Sequence, residues 1–105
     1  MTMKFLVLGA AAMAALFSSA AGAQEAPAKT ALCTTCHGAK GIGLLPDTPH
    51  LAGQPAIYLS AQLKAFRSGA RQHAVMQVIA KGLADEDIAE LAAWYAAQQI
   101  QLAKP

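Results

Sequence analysis

The stretch Cys33-Thr34-Thr35-Cys36-His37-Gly38, "CTTCHG", decides how the rest of the chain is read. Two cysteines three positions apart, with a histidine directly after the second, fit three chemistries: a redox disulfide, part of a zinc site, or a covalently attached haem. A disulfide oxidoreductase carries C-x-x-C at a helix start within a βαβ setting. Here the pair falls at the end of a helical stretch, and no βαβ pattern surrounds it. Zinc takes four protein ligands when structural and three when catalytic. Cys33, Cys36 and either His50 or His73 supply three, but there is no second C-x-x-C and no H-x-x-x-H. His37 would also sit awkwardly beside Cys36 on one ion. Covalent haem uses every residue of the motif. Thiols at i and i+3 on a helical turn reach the two vinyl groups of one porphyrin, and the histidine at i+4 lies over the iron.

The amino terminus reads as an export signal. Lys4 precedes an unbroken apolar run from Phe5 to Phe17, and small residues follow, ending in Ala21-Gly22-Ala23. That order of basic start, apolar run and A-x-A site predicts cleavage after Ala23. The run is short of the about 20 residues that span a bilayer as a helix. We therefore expect residues 1–23 to be removed and residues 24–105 to form one exported domain with no membrane span. A periplasmic location suits the haem reading, because attachment of this kind is completed outside the cytoplasm. Removing 23 of 105 residues leaves 82, a size at which a cofactor or staple usually supplements the apolar core. Seven basic residues remain against six acidic ones, a net charge of +1 with no basic tract, which gives no sign of a nucleic-acid partner.

From residue 24 onward the pattern is all-α, with four helical stretches and no strand. The first runs from about Pro27 to Cys36, with proline suited to a first turn and Gly38 to a position past the end. A loop rich in glycine and proline follows. The second stretch opens near Pro55 and ends before Gly69, with Tyr58, Leu59, Gln62, Leu63 and Phe66 on one broad face. A shorter one spans about Ala74 to Lys81. The last runs from Asp85 to about Gln99, with Asp85, Glu86 and Asp87 opposing the positive end of the helix dipole. Ile88, Leu91, Ala92 and Tyr95 form its buried stripe. Trp94 lies off that stripe and is expected at the surface or rim.

An electron-transfer haem needs a second axial ligand that is soft, neutral and distant in sequence. Met1, Met3 and Met13 leave with the signal, so Met76 is the only methionine of the mature chain. A lone methionine ordinarily fills a gap in a core. Downstream of C-x-x-C-H and an export signal, it reads instead as the partner of His37, and a His/Met pair raises the reduction potential. His50 and His73 read as exposed loop residues, each placed to compete for the iron if Met76 were displaced. A carbonyl within "PDTPHLAG" is the expected acceptor for the other nitrogen of His37.

With these residues in place, the sequence resembles a class I c-type cytochrome, a single-haem relative of the dihaem bacterial periplasmic cytochromes c. The stretches that carry the resemblance are "CTTCHG", "PHLAGQ", "YLSAQLKAFRSGAR", Met76 and "LADEDIAELAAWYA". It covers the chain from about Pro27 to Ala97. It implies a small cytochrome c fold, three main helices plus a short one wrapped around one covalently bound haem c. It implies thioether bonds from Cys33 and Cys36, with His37 and Met76 as axial ligands. Pro49 would supply the carbonyl that accepts from His37, Leu51 would pack on the haem, and Gly53 would make the tight position after it. Phe66 and Tyr95 look like core aromatics. Two positions depart from the family pattern. No glycine precedes the first cysteine, so close helix contact would rely on Ala28 or Ala31. Ala84 stands where a serine or threonine cap is common.

Lys64, Arg67 and Arg71 are spaced to share one side of the second helix. They read as a solvated face, or as a docking patch for an acidic partner. Arg71 leads into the Met76 segment and is expected to meet a haem propionate. The apolar loop residues Ile42 to Leu45 either cover a haem edge or join a contact ring. The implied function is that of a carrier of single electrons between protein redox partners, not an enzyme, as a monomer or as a subunit of a redox complex. The rival is a haem enzyme or ligand sensor with an open sixth site, for which His50 and His73 are the only acid–base groups at hand.

Overall fold

Each helix begins and ends where local chemistry requires it. The computed structural model describes residues 1–4, 9–16 and 24–101, and within these all regular structure is helical. The Ala21-Gly22-Ala23 site lies outside the described residues. No helix among those described is long and apolar enough to cross a membrane. Four α-helices follow a short 3-10 segment at Ala28–Leu32: α1 (Thr34–His37), α2 (Ala56–Ser68), α3 (Ala74–Lys81) and α4 (Asp85–Ala96).

The first stretch is not one continuous helix. The Thr30 hydroxyl and amide both donate to the Pro27 carbonyl, at 2.7 and 3.0 Å, and the Cys33 amide donates to Thr30 O at 2.9 Å. These i→i−3 bonds give the tighter 3-10 turn. They reflect the tendency of threonine to compete for nearby backbone groups. The α-pattern starts only with His37 N donating to Cys33 O at 2.9 Å. Gly38 ends the turn at φ +78°. Ala28 and Ala31 are exposed, and the buried residue of the segment is Thr30. The close approach expected from small alanines is therefore made by a threonine whose hydroxyl is already satisfied.

Helices α2 and α3 keep the expected bounds. α4 ends at Ala96, earlier than expected, because its last carbonyls are taken. The Gly53 and Gln98 amides donate to Tyr95 O at 3.0 and 3.1 Å, and Gln98 Nε2 donates to Trp94 O at 2.8 Å. These bonds compete with the i→i−4 pattern that a further turn would need. At the other end of α4, Ala84 offers no side-chain cap. Asp87 Oδ2 supplies half of one by accepting from the Ala84 amide at 2.9 Å, with Lys29 Nζ 3.7 Å from the same oxygen.

The core lies where α4 crosses α2 and the 3-10 segment. Ile88, Leu91, Ala92 and Tyr95 are buried as the stripe predicts, joined by Leu59 and Leu83. Trp94 is only 6% exposed, against the surface position expected of it. α4 packs on two elements, so its buried face is wider than a single stripe, and the Trp94 ring meets Tyr95 edge-on with centroids 4.9 Å apart. Arg67 pins α2 to the start of α4, donating to Leu83 O at 3.1 Å and to Asp85 Oδ1 at 2.6 Å. Its guanidinium holds the Asp85 carboxyl below the usual carboxylate range.

The loop between α1 and α2 turns at Gly41, whose φ is +85°. A Cβ there would lie 2.8 Å from Tyr95 Cδ1 and 2.9 Å from Ala52 N, whereas at Gly69, also at positive φ, only Gln77 Nε2 approaches, at 3.9 Å. Gly69→Ala should therefore cost only the left-handed backbone penalty, about 1–2 kcal/mol. Gly41→Ala should add overpacking of about 1–3 kcal/mol. Calorimetry of the haem-loaded proteins should show the Gly41 variant melting well below the Gly69 variant, by roughly 4–8 °C per kcal/mol. Equal losses would mean that the crowding at Gly41 is relieved without cost.

Candidate functional site

A cavity of about 380 Å³ opens between α1, α2 and α3 and the loop at 45–51. One helical turn brings the Cys33 and Cys36 sulfurs and the His37 ring to its wall. Both cysteines are free and half-buried, and His37 is buried. Burial pushes the Cys33 thiol up, the nearby Tyr95 hydroxyl acting against it. On the α2 side, Tyr58, Leu59, Gln62, Leu63 and Phe66 all line the cavity, the whole face that the helical spacing marked out. Met76 and Ile79 reach it from α3, and Leu91, Ala92 and Tyr95 close its floor. Leu51 and Leu45 line it from the loop. Ile42 and Leu44 are exposed and lie outside it, so of the apolar loop residues from Ile42 on, Leu45 is the one at the cavity wall.

All three histidines line this one cavity, and their hydrogen bonds divide them. His37 Nδ1 lies 2.9 Å from the Pro49 carbonyl. A carbonyl only accepts, so the proton sits on Nδ1 and Nε2 keeps its lone pair. His50 and His73 are the reverse. His50 Nδ1 accepts from the Gly43 amide at 2.8 Å, and His73 Nδ1 accepts from the Val75 and Met76 amides at 3.3 and 3.2 Å. In each, the neutral ring carries its proton on Nε2, which therefore has no lone pair to give a metal. The backbone thus leaves one of the three imidazoles with a lone pair on Nε2 and ties the Nδ1 of the other two to amides.

Arg71 lines the cavity too. Its guanidinium lies 4.6 Å from the centroid of the Phe66 ring, and Nη1 donates to Gln62 Oε1 at 2.7 Å. The basic trio of α2 and its exit thus separates: Arg67 braces α4, Arg71 stands at the cavity, and Lys64 is exposed. The Tyr95 hydroxyl is buried at the cavity floor with no hydrogen-bond partner, beside the Cys33 sulfur but outside bonding geometry. Burial, with Cys33 beside it, raises its pKa. Neither the capping role of His73 nor the orphaned Tyr95 hydroxyl was foreseen from the sequence. The first had no local signal, since Gln77 stands four residues after His73, one place beyond the spacing of a capping box. No group of three or more His, Cys, Asp or Glu among the described residues is arranged to hold a metal ion alone. The donors suit a haem: two thiols on one turn, one imidazole lone pair, one thioether across an apolar cavity.

The comparisons agree. Residues 19–96 match the Cytochrome c family. Cytochrome c-554(548) of Halomonas halodenitrificans is 47% identical over 74 residues, covering 68% of this chain and 89% of its own. The thiosulfate dehydrogenase electron acceptor of Thiomonas intermedia is 44% identical over 85% of this chain, and cytochrome c4 of Pseudomonas aeruginosa is 37% identical over 92%. This chain spans 42% and 47% of those two proteins, less than half of each. Among solved structures, reduced recombinant cytochrome c4 from Pseudomonas stutzeri superimposes with a TM-score of 0.61 at 35% identity, over 64% of this chain and 38% of that one. The chain therefore belongs to the cytochrome c family, is related to the cytochromes c4, and serves electron transfer through one covalently bound haem c.

Proposed function

We propose that the protein is a periplasmic carrier of single electrons whose iron is held by His37 and Met76. The observation that carries this reading is the opposed hydrogen bonding of the three cavity histidines, which leaves His37 alone with an Nε2 lone pair. Met76 supplies a soft, neutral sulfur from α3 at the same cavity. The haem supplies the one-electron change between ferrous and ferric iron. The chain does the rest. Cys33 and Cys36 hold the macrocycle covalently, the Pro49 carbonyl fixes the His37 ring, and the face of α2 excludes water. His37 and Met76 together would hold the iron from the chain and leave no site open for substrate chemistry, which favours the carrier over an enzyme or sensor. Residues 1–23 serve as the export signal and residues 24–105 as the working domain. Relatives named as electron acceptors of thiosulfate dehydrogenase support a protein dehydrogenase as the class of donor.

The oxidised protein, matured with haem in a bacterial periplasm, should show the weak near-infrared band of sulfur-to-iron charge transfer, and Met76→Ala should lose it. A high-spin wild type that binds carbon monoxide at once would move the open-site reading to first place. The mass of the mature chain should equal residues 24–105 plus one haem. Retention of residues 1–23 would remove the cleavage at Ala23.

Arg71 is poised at the cavity to meet a carboxylate of the haem, and its charge opposes the extra positive charge of ferric iron. Arg71→Gln should therefore lower the reduction potential, on the order of 20–70 mV at low salt for a charge about 10 Å away. The difference should shrink as salt is added. An unchanged potential would place Arg71 outside the site's electrostatics.

A further inference from the structure

We propose that His73 is a positioning residue for Met76, closing a cap on α3 that holds the methionine in the cavity. The inference rests on the reading of Met76 as axial ligand. Met76 is the third residue of α3, so its amide is among those that the helix itself cannot satisfy. His73, in extended geometry at φ −161° and ψ 127°, is the capping residue, and its Nδ1 accepts from the Val75 and Met76 amides. The return bond is also present: the His73 amide donates to Gln77 Oε1 at 3.1 Å. The two bonds are reciprocal as in a capping box, except that the returning side chain comes from the fourth helical residue, Gln77, and the third is Met76 itself.

Histidine is not a preferred capping residue, and its size gives it a reach that serine lacks. Its ring meets the Phe66 ring edge-on, with centroids 6.4 Å apart at 74°. Phe66 is buried on α2, and Arg71 lies over its face. The cap therefore ties the Met76 amide to a fixed ring on the neighbouring helix. The tie matters because α3 packs chiefly on α2, the helix that carries Phe66. Its first turn, which follows the exposed segment 70–72, is where a swing of Met76 out of the cavity would begin.

The test is imidazole titration of the ferric, haem-loaded protein, followed by loss of the near-infrared sulfur band. Imidazole enters only when Met76 is off, so its apparent affinity reads the fraction of molecules with the methionine displaced. His73→Ala should bind imidazole about fivefold more tightly, as expected for a lost cap. Gln77→Ala, which removes the return bond at a residue outside the cavity wall, should bind about twofold more tightly. His73→Asn, which keeps an acceptor at the cap, should stay near wild type. A general loss of stability would lower the melting temperature without raising imidazole affinity at 25 °C, so the titration separates positioning from folding. The proposal is overturned if His73→Ala matches wild type. It is also overturned if His73→Asn is as loose as His73→Ala while Gln77→Ala is unchanged, since that pattern reports a widened cavity mouth. A wild type with no sulfur band removes the Met76 reading itself, and the positioning role with it. A band indifferent to both His73 and Gln77 removes the positioning role alone.

Discussion

The hydrogen bond between His37 Nδ1 and the Pro49 carbonyl is the constraint on which the rest depends. It joins the C-x-x-C-H turn to a loop twelve residues away and sets which nitrogen of the ring faces the cavity. A carbonyl can be held in that place only if the loop is rigid, and the loop's own bonds make it so. The Leu44 amide returns to Cys36 O at 2.9 Å, and the Leu51 and Ala52 amides both reach Gly41 O, at 2.7 and 3.1 Å. Gly41 can approach Tyr95 and Ala52 so closely only because it has no side chain. The glycine- and proline-rich composition, which reads simply as loop, is thus what allows a tightly bonded clamp opposite the cysteines.

The same economy governs stability. A domain of this size buries little apolar surface of its own, and here much of what it buries also faces the cavity. Leu59, Phe66, Leu83, Leu91, Ala92 and Tyr95 are core residues and cavity walls at once. Among the described core residues, Ala52, Ala80, Ile88 and Trp94 are buried without lining the cavity. Folding and cofactor retention therefore draw on one set of contacts, and covalent attachment through Cys33 and Cys36 ensures that the group completing the core cannot leave it.

What could be read from the sequence follows from which signals are local. α2 and α3 were legible because Pro55, Gly69 and Gly82 punctuate them and the apolar spacing between is regular. The stripe of α4 was legible for the same reason. Trp94 was not, because its burial depends on a second element packing on α4, which no period within α4 reveals. The end of α4 was missed because the Gly53 amide, more than forty residues away, takes the carbonyl that another turn would use. The break in the first stretch turned on whether the Thr30 hydroxyl would bond backwards, a choice that helix propensity weights but does not decide.

The histidines show where sequence reading stops and why. His37, His50 and His73 have the same side chain, and all three line one cavity. Reading from the motif alone selects His37 by its place beside Cys36. The structure supplies the reason in terms that hold for any of the three: an imidazole whose Nδ1 meets a carbonyl is a base at Nε2, and one whose Nδ1 meets amides is a donor there. The backbone that surrounds each ring thus allots its role. It leaves one histidine with a lone pair on Nε2 and puts the other two to work on the loop and the helix that frame the cavity. On the proposed His37/Met76 reading, for His50 or His73 to take the place of Met76 would first require breaking the bonds that shape the cavity wall.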